Sequence, residues 1–259
     1  MNDSERNERN DIIAGRNAVR EALQSGRPVD YVMLAKGERQ GSVGEIIKLA
    51  KEKGVPIREV APIKLDSLCP GGRHQGIACS AAAHEYASVD DIFRSAEEKG
   101  EPPLILIADG LTDPHNLGAI IRCAEAAGAH GIIVPERRAA GLTWAVGKAS
   151  AGALEYVPVA RVTNLAQCID RLKERGVWVC AADMDGGTWC EADMTGALAI
   201  VIGSEGAGVG RLVKEKCDFV VSLPMNGKIN SLNASCACAV VLYEAARQRA
   251  GINARNGKK

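Results

Sequence analysis

The sequence predicts an α/β protein: a C-terminal, mainly parallel sheet with helices on both faces, preceded by a small N-terminal α/β domain. Beyond residue 103, short aliphatic runs alternate with segments of helical periodicity, which is typical of a parallel sheet covered by helices. The run Leu104–Ala108 is apolar at every position, as expected of a strand buried on both faces. Only 3% of the residues are aromatic although 46% are apolar, so the core must consist mainly of small aliphatic side chains.

Composition divides the chain into five segments. Residues 1–10 are polar and charged, lack the apolar stretch of a signal peptide, and are expected to form a disordered tail. Residues 11–84 form the N-terminal domain, and 85–102, which contain a charged run and end at the first residue of the pair Pro102-Pro103, form a linker. Residues 103–250 form the second domain, and 251–259 form a second tail.

The N-terminal domain is predicted to alternate helices and strands. Gly26 and Gly54 follow the first two helices as C-terminal stops. The predicted helices are Asn17–Ser25, Val43–Lys53 and Ile63–Leu68, and the predicted strands are Tyr31–Leu34, Val55–Val60 and Gly76–Ala81. A further helix, Val89–Ala96, is predicted inside the linker.

In the second domain each aliphatic run is followed by a helical pattern. The predicted strands after Leu104–Ala108 are Gly131–Val134, Val157–Val159, Val177–Ala182, Ala199–Ile202 and Val220–Leu223. The predicted helices are Asn116–Ala127, Leu142–Ser150, Asn164–Arg175, Gly208–Glu215 and a closing helix from Leu232 to about Arg249. Either Asn230 or Ser231 is the expected N-cap of that closing helix.

Charge and cysteine usage exclude several classes of protein. Basic and acidic residues number 32 each, so a nucleic-acid partner would need a local basic patch. The nine cysteines form no CxxC pair and lie mostly in apolar runs, which indicates reduced thiols of a cytoplasmic protein. The four histidines do not cluster with them, so no metal site is expected. No apolar run is long enough for a membrane span.

Three polar loops follow predicted strands of the second domain. Ligands of open α/β sheets bind at the carboxyl ends of strands, so these loops are the candidate site. The first runs from Asp109 to Arg122, the second from Ile202 to Gly208, and the third from Val220 to Ser235. In the third, Pro224 ends the strand, Asn226-Gly227 is a turn pair that tolerates positive φ, and a helix begins shortly afterwards. Each loop alone also fits an ordinary βα connection, and Arg122 alone also fits a salt-bridged surface residue.

Two common nucleotide-binding patterns are absent. The glycines at 206, 208 and 210 do not give G-x-G-x-x-G, because Arg211 falls where the third glycine should be. The stretch from Gly141 to Lys148 resembles a phosphate loop but is one residue too long and continues with Ala149 instead of Ser or Thr. A nucleotide-binding dehydrogenase and a P-loop ATPase are therefore disfavoured.

Taken together, the three loops resemble the motifs of the SpoU (TrmH-like) RNA 2′-O-methyltransferases of the SPOUT class. Motif one is N-x-G-x-x-x-R, motif two is G-x-E-G-x-G, and motif three is P-M-x-G-x-x-x-S-L-N-x-S. The matching positions are Asn116, Gly118 and Arg122, then Gly203, Glu205, Gly206 and Gly208, then Pro224 to Ser235. Ile13–Val19 resembles the start of the family's RNA-binding domain, and within the family the bacterial enzymes that methylate a guanosine of 23S rRNA are the most similar.

The resemblance implies a deep trefoil knot in the C-terminal segment, S-adenosylmethionine as cofactor, and a homodimer formed through the methyltransferase domain. The residues that it assigns to the cofactor are Gly203, Gly206, Leu223, Pro224, Met225, Ser231 and Leu232. The candidate RNA contacts are Arg16, Arg73, Asn233 and Ser235. For the turn that contains Arg73, a solvated loop without RNA contact is the alternative.

The catalytic residues that the resemblance implies are Arg122, Asn116 and Glu205. Because arginine stays protonated, Arg122 is expected to hold the ribose 2′-oxygen and a neighbouring phosphate rather than to act as a free base. Asn116 would position Arg122 or the ribose, and Glu205 would orient Arg122 or the loop. Two rival functions stay open: 2′-O-methylation of tRNA, and a non-catalytic RNA-binding or ribosome-assembly factor.

Overall fold

The computed structural model describes residues 12–24, 28–38, 42–69, 74–81 and 84–252. The chain forms two compact units. The first comprises Met1–Tyr86 together with Ala140–Lys148, and the second comprises Ala87–Ala139 together with Ala149–Lys259. The predicted tail 1–10, most of the predicted tail 251–259, and Arg73 lie outside the described residues.

The first unit contains a four-stranded sheet in the order β1-β4-β2-β3, in which β2 and β3 are parallel and the other pairs are antiparallel. Its strands are β1 (Ile12–Ala14), β2 (Val29–Ala35), β3 (Ile57–Val60) and β4 (Ile77–Ala81). Its helices before the linker are α1 (Arg16–Gln24), α2 (Val43–Glu52) and α3 (Pro62–Leu68). Strand β1 was not predicted, because three residues before Gly15 are too short to show an alternating pattern.

The core of the first unit forms because α1 and α2 each place a row of aliphatic residues on one face. Val19 and Leu23 of α1 and Ile46 and Ala50 of α2 are all at most 2% exposed. They pack together with the buried residues of β2 and β4, among them Val32 and Ile77. This is the pairing of amphipathic helices with one face of a sheet that the helical periodicity predicts.

The second segment of the first unit is held by a buried carboxylate. Asp30 is 4% exposed, and its Oδ1 accepts a 2.6 Å hydrogen bond from the hydroxyl of Tyr86. The same hydroxyl oxygen accepts from the backbone N–H of Leu142 at 3.1 Å. A Cβ at Gly141 would overlap the carboxylate of Asp30. Close packing against Asp30 therefore accounts for the glycine that gives this stretch its likeness to a phosphate loop.

The second unit contains a six-stranded, fully parallel sheet in the order β10-β8-β9-β5-β6-β7. Its strands are β5 (Leu104–Ala108), β6 (Gly131–Pro135), β7 (Val159–Val162), β8 (Trp178–Thr188), β9 (Leu198–Ile202) and β10 (Phe219–Ser222). Its helices are α4 (Val89–Lys99), α5 (Pro114–Ala126), α7 (Leu165–Glu174), α8 (Arg211–Lys216) and α9 (Ala234–Arg249), with a 3-10 turn at Ala153–Glu155, whereas α6 (Trp144–Ala149) falls almost entirely within the first unit. The parallel sheet and its helices confirm the predicted fold class.

Helices cover both faces of this sheet. Ile105 and Ile107 of β5 pack in one cluster with buried residues of α4, α7 and α8. Successive strand residues point to opposite faces, so Leu104, Leu106 and Ala108 face the other side, where α5 packs on α9 and α9 packs on β9. All five residues of β5 are buried, as are all five of β9. The trefoil knot stays a prediction, because strand order and pairing do not define how the chain threads through its own loops.

Three predicted boundaries differ from the structure for identifiable reasons. The predicted strand Val157–Val159 is wrong in position, because β7 begins at Val159 and Pro158 precedes it. Strand β8 continues to Thr188 instead of ending at Ala182. The predicted caps Asn230 and Ser231 are also wrong, because Asn233 is the N-cap of α9 and its side chain accepts from the N–H groups of Ser235 and Cys236.

A buried histidine lies at the amino edge of the parallel sheet. The side chain of His130 is fully buried, and its Nδ1 accepts from the backbone N–H of Leu104 at 2.9 Å. Its Nε2 lies 3.3 Å from a carboxylate oxygen of Glu101. Burial first, and then the positive charges of Lys99 and Arg249, lower the pKa of His130, although Glu101 opposes this shift.

We expect the stability of the second unit to fall on acidification because of His130. Its pKa is lower in the folded than in the unfolded chain, so the unfolded chain binds the extra proton as pH falls below about 6.5. In that range the free energy of unfolding should decrease by up to about 1.4 kcal/mol per pH unit relative to His130→Asn, which keeps an acceptor for Leu104. Urea denaturation of both proteins between pH 7.5 and 5 measures this difference, and parallel profiles would contradict it.

Candidate active site

The three polar loops meet at the carboxyl edge of the parallel sheet and are joined by one set of hydrogen bonds. Asn116 Nδ2 donates to Glu205 Oε1 at 3.0 Å, and Asn233 Nδ2 donates to Asn116 Oδ1 at 2.8 Å. Asn233 Nδ2 also donates to Glu205 Oε1 at 2.5 Å, and the backbone N–H of Ala234 lies 3.4 Å from the same oxygen. One residue from each sequence motif therefore takes part in a closed hydrogen-bonded triad.

Asn233 fits its place in the triad because an amide is both donor and acceptor. Its Nδ2 faces Asn116 and Glu205, while its Oδ1 accepts from the N–H of Ser235 at 2.9 Å, from that of Cys236 at 3.3 Å, and from the hydroxyl of Ser235 at 2.6 Å. The first two bonds satisfy donors that a helix start leaves without partners. The start of α9 is thus fixed by the same side chain that joins the loops.

The second loop is a tight hairpin that requires glycine. Ser204 and Gly208 exchange backbone hydrogen bonds of 3.1 and 2.9 Å. Gly206 and Gly208 have φ of 84° and 64°, the left-handed region that glycine adopts without strain. A Cβ at Gly203 would overlap the backbone of Gly208. The hairpin therefore brings the carboxylate of Glu205 back over the edge of the sheet.

Beside the triad lies a cavity of about 180 Å³. Its lining comes from β8, from the end of β9 and the hairpin after it, and from β10 with the loop that leads into α9. The lining is mixed in character, with aliphatic side chains and polar groups. Six of the seven residues predicted to bind the cofactor line it: Gly203, Gly206, Leu223, Met225, Ser231 and Leu232. The seventh, Pro224, is exposed and does not belong to the lining.

Sequence reasoning missed one wall of the cavity. Strand β8 continues past β9, and its pairing with β10 shifts register, so that Val220 pairs with Ala181 and Val221 with Gly187. The intervening residues bring Asp183 and Met184 into the cavity lining. The run of two aspartates and two glycines after an aliphatic strand was the available signal, because such residues favour an irregular strand end.

A lysine of α8 ties this wall in place. Lys214 Nζ lies 3.3 Å from Asp183 Oδ2 and 2.9 Å from Asp185 Oδ2. The hydrogen bond between Lys214 and Asp185 raises the pKa of the lysine and lowers that of the aspartate. Asp183 also faces the hairpin, with its Oδ2 3.4 Å from the N–H of Val209.

Arg122 does not take part in the hydrogen bonds of the triad. It is exposed on α5, and among the described residues neither Asn116 nor Glu205 hydrogen-bonds to it. Glu205 instead holds the third loop through Asn233. The structure thus brings two of the three predicted catalytic residues together and leaves the guanidinium of Arg122 facing solvent.

The predicted RNA contacts are placed differently from one another. In the first unit, Arg16 forms a 3.0 Å ion pair with Glu38 and donates from Nε to the carbonyl of Gln75. Asn233 and Ser235 are engaged in the cap of α9.

Gly227, in the turn pair of the third loop, does not adopt positive φ.

The chemistry of the cavity suits a nucleoside rather than a metal ion. Apolar lining from Val221, Leu223 and Leu232 matches the faces of a planar base, and the backbone of the glycine hairpin offers hydrogen-bonding groups for its edge. In the described part of the chain, no group of three or more His, Cys, Asp or Glu side chains is arranged to hold a metal ion. The same residues contain no helix with the length and apolar character needed to cross a bilayer.

Two family models match the chain. Residues 103–243 match the SpoU rRNA Methylase family, and residues 12–87 match the RNA 2′-O ribose methyltransferase substrate binding domain. The relative YacO of Bacillus subtilis (strain 168), assigned to the TrmH family of tRNA/rRNA methyltransferases, is 50% identical over 243 residues, which is 93% of this chain and 97% of YacO.

Solved structures give the same result. The SpoU methyltransferase AviRb from Streptomyces viridochromogenes, in complex with AdoMet, is 28% identical, has a TM-score of 0.59, and covers 93% of this chain and 90% of its own. The A. aeolicus TrmH/SpoU tRNA modifying enzyme is 29% identical with a TM-score of 0.54, and the match covers 62% of this chain and 84% of that enzyme.

Replacing Asn233 by alanine should destabilise the site. The substitution removes the cap of α9 and two donors to the triad, so we expect a loss of about 1–3 kcal/mol in the free energy of unfolding. Ser235→Ala is the matched control, because it removes only the hydroxyl bond to Asn233 and keeps the backbone cap. Urea denaturation compares the two, and equal losses would show that the triad contributes nothing beyond the local turn.

Proposed function

Since the chain belongs to the SpoU rRNA methylase family of RNA 2′-O ribose methyltransferases, we propose that it methylates the ribose 2′-OH of a guanosine in 23S rRNA. The cofactor is S-adenosylmethionine, which the family uses. The protein acts as a homodimer in the cytoplasm. The observation that carries the proposal is the triad of Asn116, Glu205 and Asn233, which joins one residue of each family motif beside a nucleoside-sized cavity.

The cavity residues fit the adenosine part of the cofactor. Leu223, Met225 and Leu232 supply apolar contact, and Gly203, Gly206 and Ser231 offer backbone and hydroxyl groups. Pro224 holds the third loop in the extended form that its fixed φ favours. Asp183 adds a carboxylate that accepts hydrogen bonds, a function that the sequence motifs did not assign. When bound, S-adenosylmethionine supplies a methyl group on a positively charged sulfur.

The protein must bring the ribose 2′-oxygen to that methyl group and favour loss of the hydroxyl proton to solvent water. A neutral alcohol is a weak nucleophile, so negative charge developing on its oxygen must be stabilised. Arg122 supplies the positive charge, since its guanidinium stays protonated and offers several donors to an oxygen and a neighbouring phosphate. Its exposure leaves it open to the RNA. Asn116 and Glu205 act through the positions of the loops rather than by contact with Arg122.

One observation favours rRNA over tRNA as substrate: the model that residues 103–243 match is that of the SpoU rRNA Methylase family. The first unit matches the substrate-binding model, and Arg16 and Arg73 are its candidate RNA contacts. Asn233 and Ser235 would contact RNA through the outer side of their turn. The rival of a non-catalytic assembly factor is disfavoured because Asn116, Arg122 and Glu205 are all present.

The dimer interface that we propose lies on α9. Cys236, Val240 and Tyr243 follow one another at helical spacing and are exposed, with Val240 at 42% and Tyr243 at 51%. The opposite side of α9 packs on α5 and the sheet, so this helix is apolar on most of its circumference. A helix that is apolar all round is normally buried, which favours a second copy of the methyltransferase domain on the exposed stripe.

We expect a strain without this gene to lack one guanosine 2′-O-methyl group in 23S rRNA. The wild-type gene should restore it, and Arg122→Ala should not, because the developing charge on the 2′-oxygen loses its partner. Purified Arg122→Ala should bind S-adenosylmethionine as the wild type does, and its single-turnover rate should fall by about 100-fold or more. Mapping of ribose methylation across total RNA, with calorimetry of the purified proteins, gives both readouts.

Each outcome of this experiment has a separate meaning. A methyl group missing from tRNA instead of 23S rRNA would favour the rival substrate. An unchanged map together with no binding of S-adenosylmethionine would favour the assembly factor. Restoration by Arg122→Ala would remove Arg122 from the catalytic centre and leave the rest of the proposal standing.

Tyr243→Asp should convert the dimer to a monomer, because it places a charge in the apolar stripe of α9. Leu212→Asp is the matched control: Leu212 is 62% exposed, but it lies on α8, which packs on α7 on the other face of the sheet. Sedimentation of the two variants and the wild type measures the mass. A wild type that sediments as a monomer, or a control that dissociates as readily as Tyr243→Asp, would contradict this interface.

A further inference from the structure

The turn after β6 carries two adjacent arginines that the family motifs do not include. Arg137 and Arg138 are both exposed, and in the described part of the chain neither forms a hydrogen bond or an ion pair. From this turn we infer that Arg137 and Arg138 form a second phosphate-binding site, which holds the backbone of the RNA substrate beside the target ribose. This inference rests on the proposed function and adds a contact to it.

The sheet topology places this turn at the edge where the reaction occurs. Strand β6 pairs in parallel with β5, so the turn after β6 neighbours the loop after β5 that leads into Asn116 and Arg122. The turn is held on both sides. The N–H of Glu136 donates to the carbonyl of Val162 at 2.8 Å, and Ala139 is buried. The two guanidinium groups therefore project from a fixed backbone.

The carboxylates of this edge are mostly engaged with the protein itself. Asp109 accepts from the N–H of Gly210, Asp113 from that of His115, Glu205 from Asn116 and Asn233, and Asp183 and Asp185 from Lys214. The cations are engaged much less. Among the described residues, Arg122, Arg137, Arg138 and Lys228 are exposed and show no hydrogen bond or ion pair. These four cations of the edge are therefore available to an anionic ligand, although the whole chain carries no net charge.

Glu136 precedes the pair and reduces the charge of the turn to +1, from two arginines and one glutamate. It does not pair with either arginine in the structure. Guanidinium groups bind phosphate oxygens with paired donors, which is why arginine is common at phosphate contacts. In an RNA strand whose target ribose lies at Arg122, a phosphate flanks that ribose on each side. One of these two phosphates is the expected ligand of Arg137 and Arg138.

The backbone of Arg138 supports a role for its side chain. Arg138 has a φ of 59°, in the left-handed region where residues other than glycine, asparagine and aspartate are uncommon. Glycine would fold into this turn with less strain, as Gly206 and Gly208 do in the hairpin of the second loop. Strain of this kind is concentrated at functional sites. An arginine in this conformation is consistent with selection for the guanidinium and not for the fold.

The test is the salt dependence of RNA binding by the full chain, with a 20-nucleotide single-stranded RNA of mixed sequence as probe. Each phosphate contact on a single strand contributes a slope of about 0.7 in log affinity against log salt. We expect Arg137→Ala/Arg138→Ala to lower the magnitude of the slope by about 1.4 and to leave binding of S-adenosylmethionine unchanged. Arg171→Ala is the matched control, an exposed arginine in the last turn of α7 and hence near the amino edge of the sheet.

The variant Arg138→Gly distinguishes an effect on RNA binding from an effect on folding, because it removes the guanidinium while keeping a residue that tolerates positive φ. Its thermal midpoint should equal or exceed that of the wild type, while the salt slope should fall by about 0.7. An unchanged slope in the double variant, an equal fall in Arg171→Ala, or a lowered midpoint in Arg138→Gly would overturn the inference. If instead the wild type binds no S-adenosylmethionine and methylates no RNA, the proposed function itself fails, so the two failures are distinguishable.

Discussion

A single carboxylate oxygen organises the site. Glu205 Oε1 accepts from Asn116 Nδ2, from Asn233 Nδ2 and from the backbone of Ala234. Asn116 and Asn233 are 117 residues apart in the chain, so this oxygen closes contacts that no local structure would provide. Hydrogen bonds to a carboxylate are stronger than hydrogen bonds between neutral groups. Here they hold together the loops that follow three different strands. The glycine hairpin, the cap of α9 and the cavity wall all depend on the position of this group.

The parallel sheet makes that convergence possible. Strands β10, β8, β9 and β5 are neighbours and run in one direction, so their following loops reach the same edge. Side chains such as Ile105, Ile107 and Val201 are completely buried, and the small aliphatic core leaves little freedom for the strands to slide. The polar loops are therefore supported by a rigid layer, and precise placement of Glu205 needs no further scaffold.

The sequence was a good guide where a local pattern determines the structure. Aliphatic runs identified β5 and β9 almost to the residue, and the three motifs identified six of the cavity residues. The sequence was a poor guide where the contact that determines the structure joins residues far apart in the chain. Asn233 is the cap of α9 because its amide also hydrogen-bonds to Asn116 and Glu205. These partners are distant in the sequence, so the residues around Ser231 alone could not reveal which of them caps the helix. Asp183 enters the cavity through a change of register against β10, which no strand pattern shows. Gly141 looked like part of a phosphate loop, but its environment is the carboxylate of Asp30, which precedes it by 111 residues.

Two turns at this edge, the second loop and the turn after β6, both contain residues with positive φ, but different residue types adopt it. In the second loop, Gly206 and Gly208 adopt them without cost, because only the backbone and Glu205 are needed there. In the turn after β6, Arg138 adopts the same region at a cost of about 1 kcal/mol. Folding alone would favour glycine at both places. The carboxylates of the edge meanwhile accept hydrogen bonds that fix the loops, whereas Arg122, Arg137 and Arg138 are exposed and have no partner among the described residues. The edge thus combines carboxylates that hold the loops together with three exposed arginines that are available to an anionic partner.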